Sequence, residues 1–189
     1  ELKNHGVKVL SLFFIDRVAN YVGDSPRIRN LFDECFNALK KKEPDFKYFD
    51  AEEVREAYFA KRTKTKKGGG EVEEFLDEVG EDSKEAKEAF ELIMRKKEVL
   101  LSFPNEKDPG SKVAFIFAHS ALREGWDNPN VFQICTLREM GAEVERRQTI
   151  GRGLRLPVDQ TGERVADRSI AQLTVIANES YVAFAKSLQ

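Results

Sequence analysis

The sequence has 189 residues, of which 41% are hydrophobic and 34% are charged, with a formal net charge of -2. This composition is ordinary for a soluble globular protein, and the length suffices for one full-sized domain. Because the chain is not basic as a whole, we expect any contact with nucleic acid to be local or shared with other domains. No apolar stretch reaches the length that spans a bilayer. Residues 1–5 include no initiator Met and do not resemble a signal peptide, so we expect a piece of a longer protein.

Two cysteines, Cys35 and Cys135, lie far apart, and neither has a CxxC neighbour. A zinc site needs about four ligands, and only His5 and His119 could join the cysteines, so we predict no metal site. Each cysteine lies in an apolar pattern, which predicts two buried thiols. The sequence implies no disulfide framework, which fits a reducing cytoplasm as the expected location.

The first part of the sequence predicts a buried strand followed by an amphipathic helix. Residues 8–15 have the length and the β-branched content of a strand that is buried on both faces of a parallel sheet. Ser25 is predicted to cap the helix, with Pro26 in its first turn. The apolar residues that share one face of this helix are Ile28, Leu31, Phe32, Cys35, Phe36 and Leu39.

A basic run follows a second strand, which we predict at residues 54–60. Five of the seven residues at 61–67 are basic, and residues 68–70 are all glycine. Two interpretations are open, namely a solvated flexible loop and a loop that contacts phosphate. We favour a flexible loop over residues 61–72, because charge runs usually extend into solvent. Residues 40–110, which contain it, are predicted to form an insertion or elaboration within the domain.

Helices and strands alternate along the rest of the sequence. The predicted elements are a helix from Ser83, strands at 112–118 and 131–135, a helix at 142–154, a strand at 172–177 and a helix at 179–188. This alternation predicts an α/β fold, in which right-handed crossovers link a parallel sheet that is covered by helices on both faces.

The loop after the strand at 112–118 has residues that suit a ligand site. In open α/β sheets, ligands sit beyond the carboxyl ends of the strands, and residues 119–131 begin at such an end. Gly125 allows a close approach of the backbone, and Asp127 could accept hydrogen bonds from a ribose. A plain βαβ connection with a glycine turn and an aspartate cap fits the same residues equally well.

A second segment, residues 148–155, has two arginines three positions apart. On a helical turn Arg152 and Arg155 share a face, and their guanidinium groups offer paired donors to the oxygens of a triphosphate. Gly151 and Gly153 reduce the crowding around them. The alternative is a surface helix whose arginines form salt bridges, and the spacing alone favours that alternative slightly.

Together the two segments resemble motifs V and VI of superfamily 2 helicases. Residues 119–129 are similar to motif V, with its Gly-x-Asp-x-Pro core, and Gln148-Thr-Ile-Gly-Arg-Gly-Leu-Arg155 is similar to motif VI. Longer strings around both motifs, and residues 8–18, resemble the restriction (Res) subunit of type III restriction–modification enzymes in particular. The likeness is weak over residues 20–82.

The resemblance implies that residues 1–189 form the second RecA-like domain of a DNA translocase. Residues 8–16 would be the strand of motif IV. His119 and Ser120 would stand at the start of motif V and meet the nucleic-acid backbone. Histidine at this place departs from the threonine of many helicases, so a direct phosphate contact is the least secure of the implied roles.

The resemblance also implies roles toward ATP. The residues implied at the nucleotide are Gly125, Asp127, Gln148 and Gly151. Arg152 and Arg155 would reach the γ-phosphate, with Arg155 the better candidate for an arginine finger. We expect Gly125, Asp127 and both arginines to lie on one exposed edge, at the carboxyl ends of the strands, facing the first motor domain.

The sequence lacks a phosphate loop and has no Asp-Glu pair after a predicted strand to hold Mg²⁺. In the family both belong to the first RecA-like domain, so ATP and Mg²⁺ are implied for the full-length protein, and the isolated chain is expected to be inactive and to bind neither tightly. The implied partners are that first domain, double-stranded DNA and a modification methyltransferase subunit. The alternatives are a superfamily 2 helicase without a nuclease and a stand-alone nucleotide- or DNA-binding module.

Overall fold

The computed structural model describes residues 2–65, 71–76, 96–119, 128–138, 151, 155–167 and 169–176. The strands in this part are β1 (Leu10–Phe14), β2 (Arg55–Tyr58), β3 (Lys61–Thr65), β4 (Glu71–Phe75), β5 (Phe115–Ala118), β6 (Val131–Thr136) and β7 (Thr174–Ile176). The α-helices are α1 (Arg27–Leu39), α2 (Ala51–Val54) and α3 (Lys97–Leu101). Short 3-10 helices lie at Leu2–His5, Val18–Asn20, Lys40–Lys42 and Pro109–Lys112.

Five strands form one sheet in the order β2-β5-β1-β6-β7, and every neighbouring pair is parallel. The apolar strand β1 lies at the centre, where Leu12 is paired with Ile116 on one side and with Ile134 on the other. A parallel sheet buries its central strands on both faces, which is why these strands are apolar nearly throughout. The predicted α/β fold with a parallel sheet is confirmed, as are the five strands predicted for it.

Helices cover both faces of this sheet. On one face, Leu12 and Ile116 pack in a core cluster with Leu100 of α3. On the other face, Phe32 of α1 packs edge-on against Phe117, with ring centroids 5.2 Å apart. Alternate residues of a strand point to opposite faces, so consecutive apolar residues supply both cores.

The helix α1 presents a narrower buried face than its sequence predicts. It begins at Arg27, with Pro26 at the N-cap, and Phe36 is buried. Leu31 is 60% exposed, Leu39 is 57% exposed, and Cys35 is also exposed. Successive helical residues are turned by about 100°, so the line formed by these three residues faces away from the sheet. The prediction of a buried Cys35 is therefore wrong, whereas Cys135 is buried as predicted.

The basic run does not begin as a loop. Residues 61–65 are strand β3, which pairs antiparallel with β4 and sets Lys61 opposite Phe75 and Thr65 opposite Glu71. A second strand satisfies the backbone hydrogen bonds of a polar run, which allows a strand where the composition favours a loop. The predicted loop over residues 61–72 is thus wrong for the strand residues, and residues 66–70 lie outside the described part of the chain.

Parts of the predicted insertion belong to the main fold. Within residues 40–110, β2 is an edge strand of the parallel sheet and Leu100 is buried in the core. The helices predicted from Ser83, at 142–154 and at 179–188 lie almost entirely outside the described residues. None of the helices in the described part of the chain is long and apolar enough to cross a membrane.

A buried cation lies directly before β1. Lys8 is 6% exposed, and its ammonium group donates a hydrogen bond to the backbone carbonyl of Ser111. Burial lowers the pKa of Lys8 from 10.5 to about 8. Because the unfolded chain binds this proton more tightly than the folded chain, the free energy of unfolding should rise as the pH increases from about 8 to about 10.5.

We therefore expect Lys8→Met to flatten this pH dependence. The difference between the two pKa values corresponds to roughly 3 kcal/mol, which is an upper limit for the rise. Urea unfolding at pH 7 and pH 10.5 measures it, with Lys3→Met as a control because the Lys3 side chain is 61% exposed. Equal pH slopes for the wild type and Lys8→Met would contradict the assignment.

Candidate functional site

His119 lies at the carboxyl end of β5, beside the end of β1. Its side chain is 7% exposed, and its Nε2 atom is 2.9 Å from the backbone oxygen of Asp16. A carbonyl oxygen only accepts, so in this contact Nε2 holds the proton. The Nδ1 atom is buried and has no hydrogen-bond partner among the residues that the structure describes.

This geometry limits what His119 can offer to a nucleic acid. The neutral ring uses its single donor on Asp16, so Nδ1 is left as an acceptor. A hydroxyl or amide donor could pair with Nδ1, whereas a phosphate oxygen could do so only with a protonated ring. Ser120, which is implied at the same contact, lies outside the described residues.

At the opposite edge of the sheet, Asn130 joins two segments of the chain. Its side chain is fully buried, its Nδ2 donates to the oxygen of Val158, and its Oδ1 accepts from the nitrogen of Val158, both at 2.9 Å. The backbone oxygen of Asn130 accepts from the nitrogen of Leu10 at 2.9 Å. The Oδ1 atom of Asn128 accepts from the nitrogen of Asn130 at 3.0 Å. Asn130 therefore holds the segment after the second motif against the starts of β1 and β6.

Sequence reasoning missed this role of Asn130. The available signal was Asn128-Pro-Asn130 directly before an apolar strand, since a buried asparagine there must satisfy its amide group. The identity of its partner, 28 residues later, has no local signature.

Of the residues predicted at the nucleotide, the structure describes two. Arg155 is exposed, and Gly151 is exposed with open space where a Cβ atom would stand. Arg155 precedes Val158 by three residues, which span at most about 10 Å, so its segment is anchored near the amino-terminal start of β6. His119 marks the carboxyl edge, and the position of Arg155 relative to that edge stays a prediction.

The other predicted site residues lie outside the described part of the chain. They are Ser120, Gly125, Asp127, Gln148 and Arg152. Their grouping at the carboxyl edge of the sheet stays a prediction. In the described segments, no group of His, Cys, Asp and Glu side chains is placed to hold a metal ion.

A parallel five-stranded sheet with helices on both faces is an α/β architecture consistent with a RecA-like domain. No family model matches the sequence. The Res subunit of the type III restriction-modification enzyme StyLTI from Salmonella typhimurium is 37% identical over 168 residues, which are 84% of this chain and 17% of that protein. The EcoPI Res subunit from Escherichia phage P1 and the EcoP15I Res subunit from Escherichia coli are each 38% identical over 178 residues, which are 86% of this chain and 16% of those proteins.

The chain is thus a relative of the Res subunits of type III restriction–modification enzymes over most of its own length. It spans 16 to 17% of the length of these relatives.

Proposed function

We propose that this chain is the second RecA-like motor domain of the Res subunit of a type III restriction enzyme. The observation that supports it most is the identity of 37 to 38% to three Res subunits over 84 to 86% of this chain, together with the parallel five-stranded sheet. In this proposal the whole protein is a cytoplasmic, ATP-dependent DNA translocase and endonuclease. Its partners are double-stranded DNA and a modification methyltransferase subunit.

In the proposed motor, Arg152 and Arg155 contact the γ-phosphate of ATP across a cleft between two domains. The transition state of phosphoryl transfer spreads negative charge over the phosphate oxygens, so catalysis depends on positioning and on cationic donors. The exposed Arg155 and the open surroundings of Gly151 fit a group that must reach a ligand held by another domain. Mg²⁺ is assigned to the first motor domain, because this sequence has no Asp-Glu pair after a predicted strand to hold it.

The remaining implied residues complete the proposed site. Gly125, Asp127 and Gln148 contact the nucleotide, and His119 and Ser120 lie toward the nucleic acid. In the proposal, Nδ1 of His119 accepts a hydrogen bond from a hydroxyl or amide donor, which is supported by the contact that Nε2 already makes with the backbone oxygen of Asp16. A helicase without a nuclease would share this motor site. A nuclease sequence elsewhere in the full-length protein would distinguish a restriction enzyme from such a helicase.

The proposal predicts that residues 1–189 alone do not hydrolyse ATP. Half of a two-domain site supplies donors for the phosphates but no phosphate loop, and so cannot complete the reaction. Steady-state ATPase of the isolated chain with Mg²⁺ and double-stranded DNA should equal a buffer blank, whereas the full-length protein should be active and stimulated by DNA. Turnover of about one per second by the isolated chain, or an inactive full-length protein, would overturn the proposal.

A further inference from the structure

A cavity of about 790 Å³ opens at the amino-terminal ends of three parallel strands, on the edge opposite His119. Residues 7–9 line it before β1, Lys112 and Ala114 line it before β5, and Ile170 lines it before β7. This volume lies within the range of about 300–1,000 Å³ that is typical of small-molecule sites. The cavity is lined by none of the residues that are assigned to ATP or to nucleic acid, although Lys8 and Val9 begin the strand implied as motif IV.

The walls of this cavity are largely apolar and aromatic. Phe46 and Phe49 line one part of it, and Phe103 and Pro104 line another. The ring of Phe46 packs on Phe115 of the sheet, with centroids 5.6 Å apart, so this wall is held by the core. Such a lining favours a flat, unsaturated ligand, which can pack its ring against the phenylalanines.

The charges around the cavity do not balance. Lys3 pairs with Asp45, and Lys112 pairs with Glu53 at 2.6 Å. Lys8 is buried and contacts only the carbonyl of Ser111, with no carboxylate partner in the part of the chain that the structure describes. A buried ammonium group without a counter-charge is costly, and a bound anion would relieve that cost.

We propose that this cavity is a binding site for a small aromatic carboxylate, whose negative group lies near Lys8 and whose ring packs against Phe46, Phe49 and Phe103. The buried cation selects the charge of the ligand, and the phenylalanines select its shape. A neutral aromatic compound of the same size would gain the ring contacts but would leave the ammonium group uncompensated.

A pair of matched probes tests this proposal on the full-length protein. Isothermal titration calorimetry would compare 2-naphthoate with the uncharged 2-naphthamide at pH 7. A charge-assisted hydrogen bond corresponds to roughly a 10- to 100-fold change in affinity, so naphthoate should bind at least about tenfold more tightly. Lys8→Met should remove this preference and leave naphthamide binding unchanged, whereas Lys41→Met, at an exposed lysine that does not line the cavity, should preserve it.

The pH dependence of the wild type provides a test that needs no variant. Burial lowers the pKa of Lys8 to about 8, so naphthoate affinity should fall several-fold between pH 7 and pH 9.5 while naphthamide affinity stays constant. The other charged groups that line the cavity are Lys3, Asp45 and Lys112, and each is already paired. Equal affinity for the two probes, a preference that survives Lys8→Met, or no binding of naphthoate would each overturn the proposal.

Discussion

Replacing Arg155 by alanine in the full-length protein should lower DNA-stimulated ATPase by about 10³- to 10⁵-fold, which is the contribution of an arginine finger to phosphoryl transfer. Arg152→Ala should be nearly as severe, because both guanidinium groups are assigned to the γ-phosphate. The loss should be in kcat, since the charge develops in the transition state and ATP is held mainly by the first domain. Lysine at either position should rescue poorly because it lacks the planar pair of donors.

The control for this experiment is Arg164→Ala. Arg164 is also exposed and follows Arg155 by nine residues, but it lies outside both motif segments. Steady-state ATPase with saturating DNA should be unchanged for this variant, and DNA binding should be unchanged for all of them. A loss of less than about tenfold for Arg155→Ala, against the larger contribution expected of an arginine finger, would remove Arg155 from the catalytic site and favour its interpretation as a surface arginine.

Replacing Asn130 by alanine should lower the free energy of unfolding by about 2–4 kcal/mol. The change removes two hydrogen bonds of 2.9 Å and leaves both backbone groups of Val158 without their partner. Each buried polar group that loses its partner costs roughly 1–3 kcal/mol. Urea unfolding of the variant measures the effect, and Asn37→Ala on the exposed side of α1 should change the stability by less than about 0.5 kcal/mol.

Hydrogen exchange can distinguish the local loss of the hydrogen bonds between Asn130 and Val158 from a general loss of stability. In Asn130→Ala the amide of Val158 should exchange much faster, whereas the amide of Leu12 in the central strand should follow only the global change. This test is independent of the roles assigned to the arginines. Unchanged protection of the Val158 amide would show that other contacts hold its segment. The role assigned to Asn130 would then be wrong.

The sequence alone was sufficient to predict the sheet. Six of the eight residues at 8–15 are apolar, which is typical of a strand that is buried on both faces of a sheet. Helices between such strands predict parallel pairing. The order of the two motif segments was also readable, because each motif is local in sequence. The resemblance to Res subunits was readable from the longer strings around these segments.

What the sequence could not decide depends on contacts between distant residues. The exposure of Cys35 follows from the angle at which α1 meets the sheet, and a helical pattern of apolar residues does not contain that angle. The strand at residues 61–65 exists because β4 pairs with it, although its composition is that of a loop. Asn130 and Lys8 acquire their roles from Val158 and Ser111, which are 28 and 103 residues away. Only folding buries these polar groups next to their partners. Burial raises the free-energy cost of leaving a polar group or charge unpaired, and it strengthens the hydrogen bonds that they form.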